Sequence, residues 1–191
     1  MGDIHPLVVD IDIKYDTEIT VRQYTPETLQ LICSFLWSRF SDYLDISDSS
    51  QFGEIWIMEK ETPYPCVTNK KYVSKDGIHI VFPNILMKKS AYKKMILEIK
   101  KEGEIENIFS QTCDTKPSNG EDTLFDGCFT SWQPYGCSKK NESHYKLTRV
   151  YTIENDNPCL MDSDTMNEYY SSDIMIATTL SVAYRDEETI K

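Results

Sequence analysis

Residues 7–13 read LVVDIDI, and this run limits the chain's folds more than any other. Alternating aspartates among β-branched and leucine residues predict a strand, whose successive side chains point to opposite faces. Val9, Ile11 and Ile13 then fill one face, and Asp10 and Asp12 sit side by side on the other. At about 3.3 Å of rise per residue their Cα atoms stand roughly 6.6 Å apart. Two like charges there repel and raise each other's pKa unless something positive lies between them. A divalent metal is one such partner. An ordinary strand face wet with solvent is the other reading.

The rest of the chain alternates strands with helices. Residues 25–40, TPETLQLICSFLWSRF, predict an amphipathic helix. Thr25 is its N-cap, Pro26 takes the first helical position, and Thr28 stands where a capping box carries Glu or Gln. Residues 53–60 and 77–85 read as strands, the second closed by Pro83 and Asn84, with a lysine-bearing loop over 61–75 between them. Residues 90–102 predict a second helix with Ser90 as N-cap and a stripe of Tyr92, Met95, Ile96 and Ile99. Residues 110–123 read as loop, LFDGCF as a short strand and 145–153 as another strand. Residues 154–173 look acidic and irregular, and 174–184 form an apolar element of undetermined type. Alternation of this kind favours a mixed α/β domain.

Charge and cysteine usage narrow the class. A net charge of −11 argues against a general nucleic-acid-coating protein, whose affinity comes from phosphate neutralisation. It leaves room for a nucleic-acid enzyme that gathers acids around metals and keeps its basic residues local. Six cysteines without a CxxC pair suit a reducing compartment. No apolar run approaches the ~20 residues of a membrane span, so no membrane partner is expected. The amino-terminal residues do not form a signal segment, and the chain reads as soluble and intracellular.

Two further stretches carry candidate chemistry. In KDGIHIVFP, residues 75–83, Ile78, Ile80 and Phe82 face one way and His79 and Val81 the other. His79 alone reads as a core histidine bonded to a carbonyl. With Lys75 and Gly77 just before it, it also reads as a triphosphate contact: a lysine, an amide brought close by a glycine, and an imidazole. In LFDGCFTSWQPYGCSKK, residues 124–140, Asp126 lies among apolar residues, where a lone buried carboxylate is costly. Ser138, Lys139 and Lys140 follow in a turn that begins at Gly136. The plainer reading has Asp126 capping a turn with Gly127 and the lysines in solvent. Three carboxylates in oxygen-rich surroundings suit Mg²⁺ or Mn²⁺ rather than zinc.

Taken together, VVDIDIKYD, KDGIHIVFP and LFDGCF…YGCSKK resemble the archaeo-eukaryotic primase superfamily. The closest likeness is to the primase-polymerase domain on the amino-terminal side of the helicase-primases of large cytoplasmic DNA viruses. The resemblance spans residues 8–140, and YKLTRVY after them also fits. It implies a mixed α/β primase catalytic core with an RRM-like sheet. It implies one domain over 1–191, a fragment of a longer primase-helicase, acting at a viral replication site in the host cytoplasm. The implied reaction is template-dependent transfer from an NTP or dNTP to a 3′-hydroxyl on single-stranded DNA, assisted by two Mg²⁺ or Mn²⁺ ions. Asp10, Asp12 and Asp126 match the metal-binding acids, His79 the histidine on the nucleotide phosphates, and Lys139 the downstream basic residue. Lys75, Gly77 and Ser138 fall beside them. The implied partners are single-stranded DNA, the nucleotide and the helicase region. Two departures stand out. Gly77 occupies the place of a small hydroxyl residue two before the histidine, and Gln133 or Pro134 stands where an arginine often precedes the turn.

Other features admit plainer readings. Cys113, Cys128, Cys137 and His144 lack the spacing of a zinc knuckle and read as ordinary residues. Lys88, Lys89, Lys93, Lys94, Lys100 and Lys101 read as a solvated helix face, or as a template track. Trp132 and Tyr135 either stack on a base or cover their turn. Two other functions compete with the primase reading: a catalytically silent nucleic-acid- or partner-binding module, and a metal nuclease using the same acids.

Overall fold

The computed structural model describes residues 4–46, 48–67, 70–127, 135 and 143–180. The elements are β1 (Ile4–Tyr15), α1 (Pro26–Tyr43), α2 (Ser49–Phe52), β2 (Glu54–Glu59), β3 (Tyr64–Pro65), β4 (Ser74–Lys88), α3 (Lys89–Lys100), α4 (Glu104–Thr112), α5 (Glu121–Leu124), β5 (Phe125–Asp126), β6 (Lys146–Glu154), β7 (Asn157–Leu160), α6 (Ser163–Tyr169) and α7 (Asp173–Leu180).

The strands form one antiparallel sheet in the order β5-β1-β4-β2-β6-β7, with β3 paired to β4. Within it, β5-β1-β4-β2 is a ferredoxin-like core. Helix α1 crosses from β1 to β2, and α3 to α5 cross from β4 to β5, each skipping one strand. This is the RRM-like sheet the resemblance implies. The β6–β7 hairpin widens it, turning at Asn155 and Asp156 with φ of 50° and 61°. Paired positive φ gives the hairpin the turn that matches strand twist.

Period two in β1 separates the faces as its sequence predicts. Leu7, Val9, Ile11 and Ile13 are fully buried against the helices, together with Ile55, Ile57, Ile78, Ile80 and Phe82 from neighbouring strands. Helix α1 seals that face with Leu29, Ile32, Cys33, Leu36 and Phe40; the Phe40 ring meets Phe82 edge-on at 4.9 Å. Thr28 does replace Glu in the capping box: the Thr25 amide donates to Thr28 Oγ1 and the Thr28 amide to Thr25 Oγ1. The opposite face holds a smaller cluster, Val8, Trp56, Met58, Val81, Val150 and Tyr145, covered by Ile176 and Leu180 of α7. Among the described residues, only part of that second face is covered.

Several sequence expectations need correction. Strand β4 does not stop at Pro83 but runs to Lys88. The register slips between Pro6 and Leu7, where Leu7 faces Phe82 and Pro6 faces Leu86, so Pro83 falls in a bulge and costs no ladder bond. Ser90 is not an N-cap; α3 begins one residue earlier with Lys88 at the cap and no side-chain cap bond. Its predicted stripe, Tyr92, Met95, Ile96 and Ile99, is buried. Gly103, at φ 67°, then turns the chain into α4, which begins before the expected loop and runs into its first residues. The stretch 154–173 is not irregular: it contains β7 and α6, the latter capped by Asp162.

Candidate active site

The open part of the second face is assembled row by row. Along β1 it carries Val8, Asp10, Asp12 and Lys14. Directly across on β4 stand Val81, His79, Gly77 and Lys75. Opposed residues of an antiparallel pair share a face, so the register alone sets Asp10 against His79, Asp12 against Gly77 and Lys14 against Lys75. On the other flank of β1, Asp126 pairs with Asp10. One row across three strands therefore reads Asp126–Asp10–His79. Met58 continues it on β2 and starts the apolar half of the face.

His79 is 5 % exposed, and its Nε2 lies 3.5 Å from Asp10 Oδ1. Burial, reinforced by the nearby Lys60 ammonium, pulls its pKa down to about 3. The imidazole is therefore neutral at neutral pH, and its contact with Asp10 is not an ion pair. Tyr145 lies flat over it, with ring centroids 3.6 Å apart and planes 18° apart. Lys60 is itself buried, with Nζ 3.9 Å from the Tyr64 ring centroid and 5.4 Å from that of Tyr145. Lys75 Nζ stands 4.8 Å from the centroid of the same Tyr64 ring. Asp12 Oδ2 meets Lys14 Nζ at 2.8 Å.

Gly77 does not have the role expected of it. Its amide already donates to Asp76 Oδ1 at 2.9 Å, and the space above its Cα is taken by the Tyr145 hydroxyl. The glycine makes room for a tyrosine rather than offering an amide to phosphate. Asp126 also differs from expectation: it is exposed, β5 is only two residues long, and Asp126 Oδ1 accepts from the Gly127 amide at 2.8 Å. Ser138 and Lys139 lie outside the described residues, as do Gly136, Lys140, Trp132, Gln133, Pro134, Cys128 and Cys137. Tyr135 donates to Asp173 Oδ1 at 2.9 Å and lines a cleft with His144, Leu147 and Ile174. Cys113 is buried in the helix-side core, away from that cleft. The lysines of α3 belong to the helix-covered side; Lys101 pairs with Glu98, and Lys100 donates to the Asp122 carbonyl.

Beneath the site, on the helix side, a buried ionic group holds the strand ends together. Arg22, from the β1–α1 loop, meets Glu59 Oε1 and Asp76 Oδ2, each at 3.0 Å. Tyr24 donates to Glu59 Oε1 at 2.7 Å, and Thr148 and Arg149 donate to Glu59 Oε2. Burial raises the Asp76 pKa, and Arg22 opposes the rise.

Asn119 was invisible as a site residue because it lies in apparent loop. It is 3 % exposed and completes the β1 edge where β5 ends. Its Oδ1 accepts from the Lys14 amide and its Nδ2 donates to the Asp12 carbonyl, both at 2.8 Å. Ser118 extends the same edge, its amide donating to the Lys14 carbonyl at 2.7 Å. Lys14 could have been found by carrying the period of two on from Asp10 and Asp12. Tyr145 and Lys60 gave no local signal.

The donor set fits a hard divalent ion in kind: oxygen only, two carboxylates on one strand and a third opposite the first. Asp10 and Asp12 keep about a third of their side-chain surface open. Among the described residues, no three acidic, histidine or cysteine side chains are already drawn together as metal ligands.

A ferredoxin-like sheet with α1 and α3 to α5 on one face, and acids, a histidine and lysines beside the α7-covered cluster on the other, is the architecture of an archaeo-eukaryotic primase core. A family model described as the C962R protein N-terminal AEP domain matches residues 2–151. The chain belongs to this archaeo-eukaryotic primase family, which is of primase and polymerase type. No curated protein matches it.

Proposed function

We propose that the chain catalyses template-dependent nucleotidyl transfer on single-stranded DNA, from an NTP or dNTP to a 3′-hydroxyl, for replication of a viral genome in the host cytoplasm. The observation that supports this most is the Asp126–Asp10–His79 row on the open face. Asp10, Asp12 and Asp126 would hold two Mg²⁺ or Mn²⁺ ions. Ions bound there would acidify the primer 3′-hydroxyl and offset charge on the leaving pyrophosphate.

The chain's own residues orient the triphosphate. His79, being neutral, gives it an N–H rather than a positive charge. Lys75 and Lys14 bring charge to the same face, and a cation held by Asp12 would leave the Lys14 ammonium, now paired with that carboxylate, for phosphate. Ser138 and Lys139, outside the described residues, would add the phosphate contacts that the resemblance implies. A helicase region of a longer chain is the natural partner in this reading.

A silent binding module is the second reading. Lys14 resting on Asp12 favours it. Labelled single-stranded DNA, with and without primer, in Mg²⁺ and in Mn²⁺, separates the readings. Extended products support transfer, shortened ones a nuclease, and bound but unchanged strands a silent module.

A further inference from the structure

The row between Lys75 and His79 has no side chain of its own, because its β4 residue is Gly77, opposite Asp12. The space is nevertheless filled. A Cβ on Gly77 would stand 2.3 Å from Tyr145 Oη and 3.3 Å from Tyr145 Cζ. A hydroxyl has thus been brought into this row from another part of the chain, the residue just before β6. The same side chain covers the His79 imidazole face to face at 3.6 Å. A phenol keeps its proton at neutral pH, so the Tyr145 hydroxyl is a hydrogen-bond donor in this row.

Two features fit a role in the site better than a packing role alone. The ring lies where the apolar cluster ends and the charged rows begin, touching both. And a glycine in a central strand weakens the strand unless something approaches it closely. Here that something is an oxygen rather than a methyl group.

We propose that Tyr145 is a substrate-contacting and positioning residue. Its hydroxyl donates to the incoming triphosphate from the place a side chain at position 77 would occupy, and its ring fixes the plane of His79. The contact with triphosphate rests on the nucleotidyl-transfer reading.

The test is a swap of the hydroxyl between two positions, using Tyr145→Phe, Gly77→Ser and the double variant. Tyr145→Phe keeps the ring and loses the donor, so the nucleotide KM rises about tenfold with kcat little changed. Gly77→Ser alone forces the tyrosine ring off His79, because its Cβ meets Oη at 2.3 Å. It is the worst of the three. In the double variant the serine Cβ stands 3.3 Å from the phenylalanine Cζ, so a ring movement of a few tenths of an ångström seats it with its hydroxyl in the vacated place. Its KM returns to within about threefold of wild type. A double variant no better than the worse single one overturns the contact.

A second readout needs no turnover. With three histidines in the chain, the His79 ring protons can be assigned by NMR in nucleotide-free protein. They are shifted upfield by the stacked ring in wild type and in Tyr145→Phe, lose that shift in Gly77→Ser, and regain it in the double variant. A His79 signal indifferent to all three substitutions overturns the positioning role. Wild-type protein that incorporates no nucleotide removes the transfer reading and the hydroxyl contact with it. The His79 signal still decides the positioning role.

Discussion

Replacing Asn119 by Ala should weaken the whole domain through one strand edge. The amide side chain makes the two 2.8 Å bonds that a neighbouring strand would otherwise give to β1, to the Lys14 amide and the Asp12 carbonyl. At 3 % exposure, little water reaches the gap left behind. Each buried backbone group left without its partner costs about 1–3 kcal/mol, so the pair costs about 2–4 kcal/mol once some relaxation is allowed. A domain of this size shifts by roughly 2–4 °C per kcal/mol, so the melting midpoint falls by roughly 5–15 °C. Urea denaturation measures the loss directly, with the slope unchanged if the native state keeps its shape. Asn119→Asp keeps an acceptor for Lys14 but sets a charged oxygen against the Asp12 carbonyl, and should be at least as damaging. A loss below about 0.5 kcal/mol in Asn119→Ala, the range of ordinary surface changes, would refute the reasoning.

Three more outcomes follow from the same geometry. Arg22→Met leaves Asp76 buried without its cation, while Glu59 keeps Arg149, and should cost about 3–5 kcal/mol; adding Asp76→Asn should recover much of this in the same denaturation assay. Lys14→Met removes the ammonium on Asp12, so Mn²⁺ binding measured by calorimetry should tighten while the nucleotide KM rises. Burial raises the Glu121 pKa to about 7, so the folded state holds its proton longer than the unfolded chain does. Stability from this group is therefore highest below about pH 4.5 and falls as pH rises towards 7, and Glu121→Gln should flatten that decline in a pH series of melting curves.

The strands that carry the site were legible because each has a buried face and an open one. Alternation in LVVDIDI and in GIHIVF marked which side chains share a face, while the β1–β4 register, free in steps of two by that pattern, is what sets Asp10 opposite His79. What escaped was set by distant contacts. The full length of β4 depends on a bulge opposite Pro6, which composition around Pro83 does not reveal. Helix α4 has Ile105, Ile108 and Phe109 at helical spacing, but the glycine before it and the polar run after it masked the pattern. Asn119 acts as a substitute for strand backbone, and nothing in SQTCDTKPSNGEDT marks one polar residue for that task. Tyr145 finds its partners more than sixty residues away, at Gly77 and His79. The burial expected of Asp126 was wrong because LF before it is buried while the aspartate itself sits on a two-residue edge strand.

The most direct test of the central claim is metal-dependent nucleotide incorporation on single-stranded DNA by wild type and by Asp10→Asn, Asp12→Asn and Asp126→Asn, each with its melting curve. Wild type should give products in Mg²⁺ or Mn²⁺, and folded Asp10→Asn or Asp12→Asn protein none. Undiminished incorporation by folded Asp10→Asn protein would contradict the claim.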